Sequence, residues 1–286
     1  MADNLNWTRV AGFPLERDLQ PLLREIERRA IPCRLAVEGE EQVLWLTNER
    51  DTATVLSLLQ TEVEADLAGS PGSAAASTMA GLATRFPVVF AGLILAIVGA
   101  LVVRWVPEWL HWLTFQDFVE VDVTTLDFVS LKETYQRGEY WRVLAPTFLH
   151  FGLFHLVFNA LWLWEFGRRL ELVEGSRRFL LVFVVLAVGA NVGQYLWSGP
   201  SLFGGLSGVI YGLLGYIWIR QQLAPHPALA LPRGIVVLML VWLLLCLVGI
   251  VDFFIPGSIA NGAHVVGLVV GLVCGALSAR DTPRRT

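Results

Sequence analysis

Apolar runs of about 20 residues, the length an α-helix needs to cross the hydrocarbon core of a bilayer, recur from Phe86 onward. They constrain the fold more than any other feature. A backbone placed in lipid must satisfy its own polar groups, and runs this long do so as helices. Six are counted, at about 87–105, 148–167, 178–197, 204–222, 234–251 and 260–278. The whole composition agrees: 55% of the 286 residues are hydrophobic and only 16% charged, with a mean hydropathy of +0.58, too apolar for an ordinary soluble domain. The expected class is a mainly α-helical polytopic membrane protein with the lipid bilayer as its surroundings. Eleven tryptophans, many near the ends of apolar runs, suit anchoring at membrane interfaces. A net charge of -4 leaves no basic stripe to replace phosphate counterions, so no nucleic-acid partner is expected. Cys33, Cys246 and Cys274 lie far apart, which argues against a disulfide framework and a metal cluster alike.

Residues 1–66 have a different character. Leu15, Leu19, Leu22, Leu23 and Ile26 follow helical spacing, Arg34 to Val37 and Gln42 to Leu46 alternate like strands, and a second helix runs through Val55, Leu58 and Leu59. The order strand, helix, hairpin, helix predicts a small α+β domain with a two-layer core. Its first 30 residues mix Arg17, Arg24, Arg28 and Arg29 with acids and hold no apolar core, so no secretory signal is expected and the N-terminus is placed in the cytoplasm. Residues 67–85, which include the small polar stretch AGSPGSAAASTMA, read as a flexible linker. Residues 86–279 form the six-helix region, and 280–286 a cytoplasmic tail.

Arginines set the expected orientation. Arg168, Arg169, Arg177 and Arg178 crowd the second connection, Arg220 and Arg233 flank the fourth, and Arg280, Arg284 and Arg285 follow the last run, so these ends are cytoplasmic. Ser198 to Phe203 carries no charge and Asp252 to Ile259 only Asp252, so both face outward. The long first connection, Val106 to Ala145, is expected outside as short amphipathic helices lying in the interface.

In this frame the fourth and sixth runs both pass from outside to inside. Ser207, in Gly204-Gly205-Leu206-Ser207-Gly208, lies about four residues into one, and His264 about five into the other. At ~1.5 Å per residue both sit roughly 6 to 8 Å below the outer helix ends. A serine in a membrane helix usually bonds back to its own backbone, and glycines usually serve general packing. A common depth favours a nucleophile and its base instead. Gly208 and Gly212 beside the serine, and Gly267, Gly271 and Gly275 below the histidine, would let the two backbones approach. In the second run, HFGLFHLVFN puts His155 and Asn159 four residues apart on one helix face, able to donate to an oxyanion together with backbone N–H groups at the start of the fourth run. His150 lies nearby in sequence. It is five residues from His155, about 140° away on a helix, which disfavours a shared metal. Tyr211, one turn below Ser207, can stack on the imidazole. No acid is placed to orient His264, so the chemistry would be a Ser-His dyad. A transporter is the competing class; the polar residues cluster near the outer surface with no charge at the midplane, which disfavours it.

The motifs YWR (Tyr140 to Arg142), HFGLFHLVFN, GGLSGVIYG (Gly204 to Gly212) and ANGAHVVGLVVG (Ala260 to Gly271), in this order, resemble the rhomboid intramembrane serine proteases, in particular their bacterial GlpG type. The resemblance covers Tyr140 to Ala279 and implies a six-transmembrane-helix rhomboid bundle. By motif position it implies Ser207 as nucleophile and His264 as general base. It further implies an oxyanion hole from His155, Asn159 and the Ser207 N–H, with His150 nearby and Tyr211 supporting the His264 ring. Glu171 matches a glutamate that ties helices together on the cytoplasmic side. The loop Asp252 to Ile259 would cap the site, and the fifth run would help gate lateral entry. The family needs no metal or organic cofactor. The implied partners are transmembrane protein substrates cleaved near the periplasmic leaflet of the bacterial inner membrane, with a homo-oligomer left open. An inactive rhomboid-like binding protein would be expected to lack Ser207 or His264, and both are present.

Overall fold

The computed structural model describes residues 7–14, 19–39, 41–68, 79–122, 125–253 and 259–280. Leu15, Arg17, most of the linker, residues 254–258 of the expected capping loop, and the tail with Arg284 and Arg285 lie outside the described residues. The chain separates into two compact units, Met1–Ala74 and Ala75–Thr286.

The first unit has the order read from the sequence: β1 (Thr8–Pro14), α1 (Gln20–Arg28), β2 (Cys33–Glu38), β3 (Glu41–Leu46) and α2 (Thr52–Ala68). All pairing is antiparallel, in the order β1-β3-β2. Gly39 adopts φ +65 in the β2–β3 turn, a conformation glycine enters without a Cβ penalty. Alternation along the central strand sends Leu44 and Leu46 to one face, where they pack with Val10, Phe13, Leu22, Ile26, Val55 and Leu59.

The second unit is helical. Among the described residues four stretches are long and apolar enough to cross a membrane, Pro87–Trp105, Leu153–Ser198, Pro227–Leu247 and Asn261–Arg280. Six apolar runs give four stretches for two reasons. The second and third runs lie on one 46-residue helical stretch, formed by α7 (Leu153–Trp162), a π-helical turn (Leu163–Gly167) and α8 (Arg168–Ser198), where the backbone breaks at Gly175 with φ 75 and ψ 157. The fourth run becomes a helix only at Ser207 and is 17 residues long. Around these stand α3 (Met79–Arg85), α4 (Pro87–Trp105), α9 (Ser207–Leu223), α10 (Arg233–Leu247) and α11 (Asn261–Arg280).

The connection after α4 departs from expectation. It holds two short helices, α5 (Leu110–Leu113) and α6 (Leu131–Gln136), but also a hairpin of β4 (Phe118–Glu120) and β5 (Leu126–Phe128). Phe118 turns inward against Phe128 while Val119 is exposed, a two-residue period too short to register beside the surrounding aromatics. Arg142 fastens this region. Its guanidinium is 1% exposed and is neutralised by Glu139 at 2.7 Å, and it donates to the carbonyls of His111 and Thr114. Tyr135, in α6, donates to Phe115 O, and burial pushes its phenol up to about 12.

Two carboxylates organise the other end. Glu171 accepts from Val88 N and Val89 N, both at 3.0 Å, and so satisfies the first turn of α4, where Pro87 has no N–H to offer. Glu174 accepts from Tyr216 at 2.8 Å and Ser278 at 3.0 Å, joining α8 to α9 and α11.

Candidate active site

The site is built on the contact between α9 and α11. At Gly267 a Cβ would collide with the Gly208 carbonyl, at Gly271 with that of Gly212, and at Gly275 with that of Tyr216. Three successive turns therefore pack backbone against backbone, as small residues allow in lipid, where apolar side chains gain nothing by leaving one apolar neighbour for another. Gly215 does the same toward the Leu268 carbonyl, and Gly212 leaves room for the Leu186 side chain.

This packing brings Ser207 Oγ to 2.8 Å from His264 Nε2. The route differs from equal depth. Ser207 is the first residue of α9, whereas His264 is the fourth of α11. The cause is Gly204-Gly205-Leu206, which the apolar count had assigned to the helix. Gly205 takes φ +120, outside any helix, and donates to Pro146 O at 3.0 Å. A side chain at Gly204 would strike Leu149 and the Pro146 carbonyl, so this strand of chain lies directly on the segment before α7. The start of α9 is thus held inside the protein with no side-chain cap at Leu206. The first N–H groups of any helix lack partners within it, and here they emerge beside the serine.

His155 and Asn159 face this point. A Cβ on Gly205 would lie 2.6 Å from His155 Cε1 and 3.8 Å from Asn159 Nδ2. Asn159 is 5% exposed and its amide donates to His155 O at 2.9 Å, which fixes the amide and leaves its second hydrogen directed away from its own helix. His150 is placed differently from the sequence reading. It precedes α7, so helical separation from His155 does not apply, and the two rings lie 4.9 Å apart. Its Nδ1–H donates to Phe148 O at 2.9 Å and the residue is 1% exposed. Among the described residues no group of three or more His, Cys, Asp or Glu is placed to hold a metal.

The Tyr211 ring lies 4.9 Å from that of His264, and its hydroxyl donates to Met239 O on α10 at 3.1 Å. His264 Nδ1 has no hydrogen-bond partner among the described residues. Two further polar residues were missed in the sequence. Gln194 on α8 accepts from Ala263 N at 3.0 Å and so caps the first turn of the histidine helix. Asn191, one turn earlier, donates to Val143 O and Thr147 Oγ1, holding the segment that carries Pro146. Both are buried amides inside an apolar run, a signal that the sequence did contain.

Two protein families match the chain. Residues 137–281 match the Rhomboid domain and residues 5–67 the Rhomboid N-terminal domain. The chain is 40% identical over 144 residues to the Rhomboid protease GlpG of Yersinia pestis (strain Pestoides F), which is 50% of each chain. It is 40% identical over 148 residues, 52% of each chain, to that of Salmonella choleraesuis (strain SC-B67). The chain thus spans about half the length of the curated relatives it matches. The rhomboid-domain match takes in α7 to α11, the serine, the histidine and the residues packed around them, and this multi-pass membrane protein belongs to the rhomboid family.

Proposed function

We propose that the chain is an intramembrane serine endopeptidase that cleaves transmembrane segments through a Ser207-His264 dyad. The observation that carries this reading is the 2.8 Å contact between Ser207 Oγ and His264 Nε2 at the part-buried start of α9. With Nε2 accepting from the serine hydroxyl, the imidazole proton sits on Nδ1. The Ser207 oxygen attacks the scissile carbonyl carbon while its proton passes to Nε2. The resulting oxyanion is held by the Ser207 N–H, the Asn159 amide and the His155 ring, with His150 behind His155. Collapse breaks the C–N bond, and the leaving amine takes the proton from Nε2. Water then attacks the acyl ester, returning a proton through Nε2 to Ser207. Tyr211 keeps the imidazole in place without a carboxylate, by ring contact on one side and its anchorage to Met239 on the other.

In this reading all six apolar runs cross the membrane, with both chain termini in the cytoplasm and the serine near the periplasmic side of a bacterial inner membrane. The arginine distribution supports that orientation. The domain division is 1–66, a linker at 67–85, the protease domain at 86–279 and a tail at 280–286. A substrate helix must unwind to present its carbonyl, since a helix encloses its own carbonyls in hydrogen bonds. The loop around Asp252 would cover the site, and α10 would move aside for entry. Among its residues only Met239, Leu243 and Cys246 are buried, a single stripe facing the bundle. Reaction with a fluorophosphonate tests the reading: labelling should occur in the native chain, vanish in Ser207→Ala and weaken strongly in His264→Ala. Labelling that survives Ser207→Ala would refute it.

A further inference from the structure

Among the described residues two side-chain hydrogen bonds reach α10 from other helices, and both start from residues flanking His264. Tyr211, in contact with the His264 ring, donates to Met239 O at 3.1 Å. Asn261, three residues before His264 and the first residue of α11, donates through Nδ2 to Cys246 O at 3.1 Å. The second bond has a clear origin. Cys246 lies in the last turn of α10, where its carbonyl oxygen accepts from Gly249 N at 3.1 Å and keeps a second lone pair, which the side-chain amide from the neighbouring helix occupies. The Asn261 Oδ1 atom is buried with no partner among the described residues. The remaining hold on α10 is its narrow stripe of Met239, Leu243 and Cys246, while Val237, Leu238, Val241, Trp242 and Leu244 are exposed. Between apolar side chains and lipid tails there is little preference, so polar links weigh heavily in where such a helix rests.

We infer that Asn261 is a positioning residue that latches the end of α10 to the histidine helix, and so sets how readily a membrane-embedded polypeptide, as opposed to a small reagent, reaches the dyad. The inference rests on the protease reading above. Asn261 touches neither reacting atom; it acts through α10. A small electrophile approaches Ser207 without displacing α10, whereas a transmembrane segment must part α10 from α9 and α11 and break the Asn261 bond before it can bind.

A part-buried interhelical hydrogen bond of this kind shifts an open-closed equilibrium by about fivefold. The test uses the full chain in proteoliposomes, as Asn261→Ala and the similarly shaped Asn261→Leu, neither of which carries a side-chain donor. Two rates are measured: cleavage of a membrane-spanning reporter, and Ser207 labelling by a small fluorophosphonate. The latch predicts cleavage about fivefold faster in both variants, read as kcat/KM with the change chiefly in KM, and labelling at the native rate. Cleavage that is unchanged or slower in both variants, or labelling that changes in parallel with cleavage, overturns the latch. Absence of labelling in the native chain overturns the protease reading itself, so the two failures are distinguishable.

Discussion

Gly267→Ala is the perturbation whose effect follows most directly from the packing. A Cβ at Gly267 would lie inside van der Waals contact of the Gly208 carbonyl oxygen, the residue next to Ser207. Neither side can yield, because the obstacle is backbone. Restoring an ordinary C···O separation means parting α9 from α11 by about 1 Å at this turn. The Ser207 to His264 contact, 2.8 Å in the native chain, would open to roughly 3.8 Å, beyond hydrogen-bond range. A misplacement of this size costs about 100-fold in rate, while overpacking costs ~1–3 kcal/mol in stability. Gly275→Ala provides the control. It meets the Tyr216 carbonyl in the same way, but roughly 12 Å further along α11 at ~1.5 Å per residue. Opening the far end should leave the dyad nearly closed. The assay is the initial rate of cleavage of a membrane-spanning reporter in proteoliposomes, with thermal unfolding of each variant in parallel. The expected result is a similar loss of stability in both variants and a rate loss at least tenfold larger in Gly267→Ala, by the same geometric argument. Equal rate losses, or a Gly267→Ala enzyme within threefold of native, would refute the reasoning that backbone contact sets the dyad distance.

Other consequences are more local. Gly205→Ala places a Cβ 2.6 Å from the His155 ring at φ +120, and should abolish cleavage by displacing His155 while thermal stability falls by only ~1–3 kcal/mol; native-rate cleavage would contradict the placement of the oxyanion donors. Glu171→Ala removes the acceptor for Val88 N and Val89 N and should lower stability by about 1–2 kcal/mol, read by thermal unfolding in detergent, with Glu171→Gln intermediate because one acceptor oxygen remains. Burial raises the Tyr135 phenol from its ordinary 10 to about 12, so the stability it contributes is complete below pH 10 and lost as pH rises toward 12. Tyr135→Phe should remove that component from the alkaline unfolding profile, and an unchanged profile would speak against it.

Much of this was legible in the sequence because lipid imposes simple rules. Run length gave the helices, and alternation at Arg34 to Val37 and Gln42 to Leu46 gave the hairpin of the first unit, since one face must be apolar. Ser207 and His264 stood out because polar atoms are costly in a bilayer. The errors arose where local backbone geometry overrides hydropathy. Gly204 and Gly205 are apolar by count but not helical, so the helix starts later than the run, and Ser207 and His264 meet from unequal positions in their helices. His150 was read as helical because HFGLFH is apolar throughout, although α7 starts at Leu153. The β4–β5 hairpin has three-residue strands, too short for a periodic signal. Gln194 went unnoticed because its partner, the Ala263 N–H, belongs to backbone 69 residues away, and no side-chain motif marks such a pairing.

The central claim is that a serine hydroxyl and an imidazole, brought together by glycine packing inside a membrane bundle, break peptide bonds. The purified full chain, reconstituted with a membrane-spanning reporter, tests it most directly by product formation in the native protein, Ser207→Ala and His264→Ala. Cleavage is expected from the native chain and none above background from either variant, with all three proteins folded. Cleavage at the native rate in Ser207→Ala would contradict it.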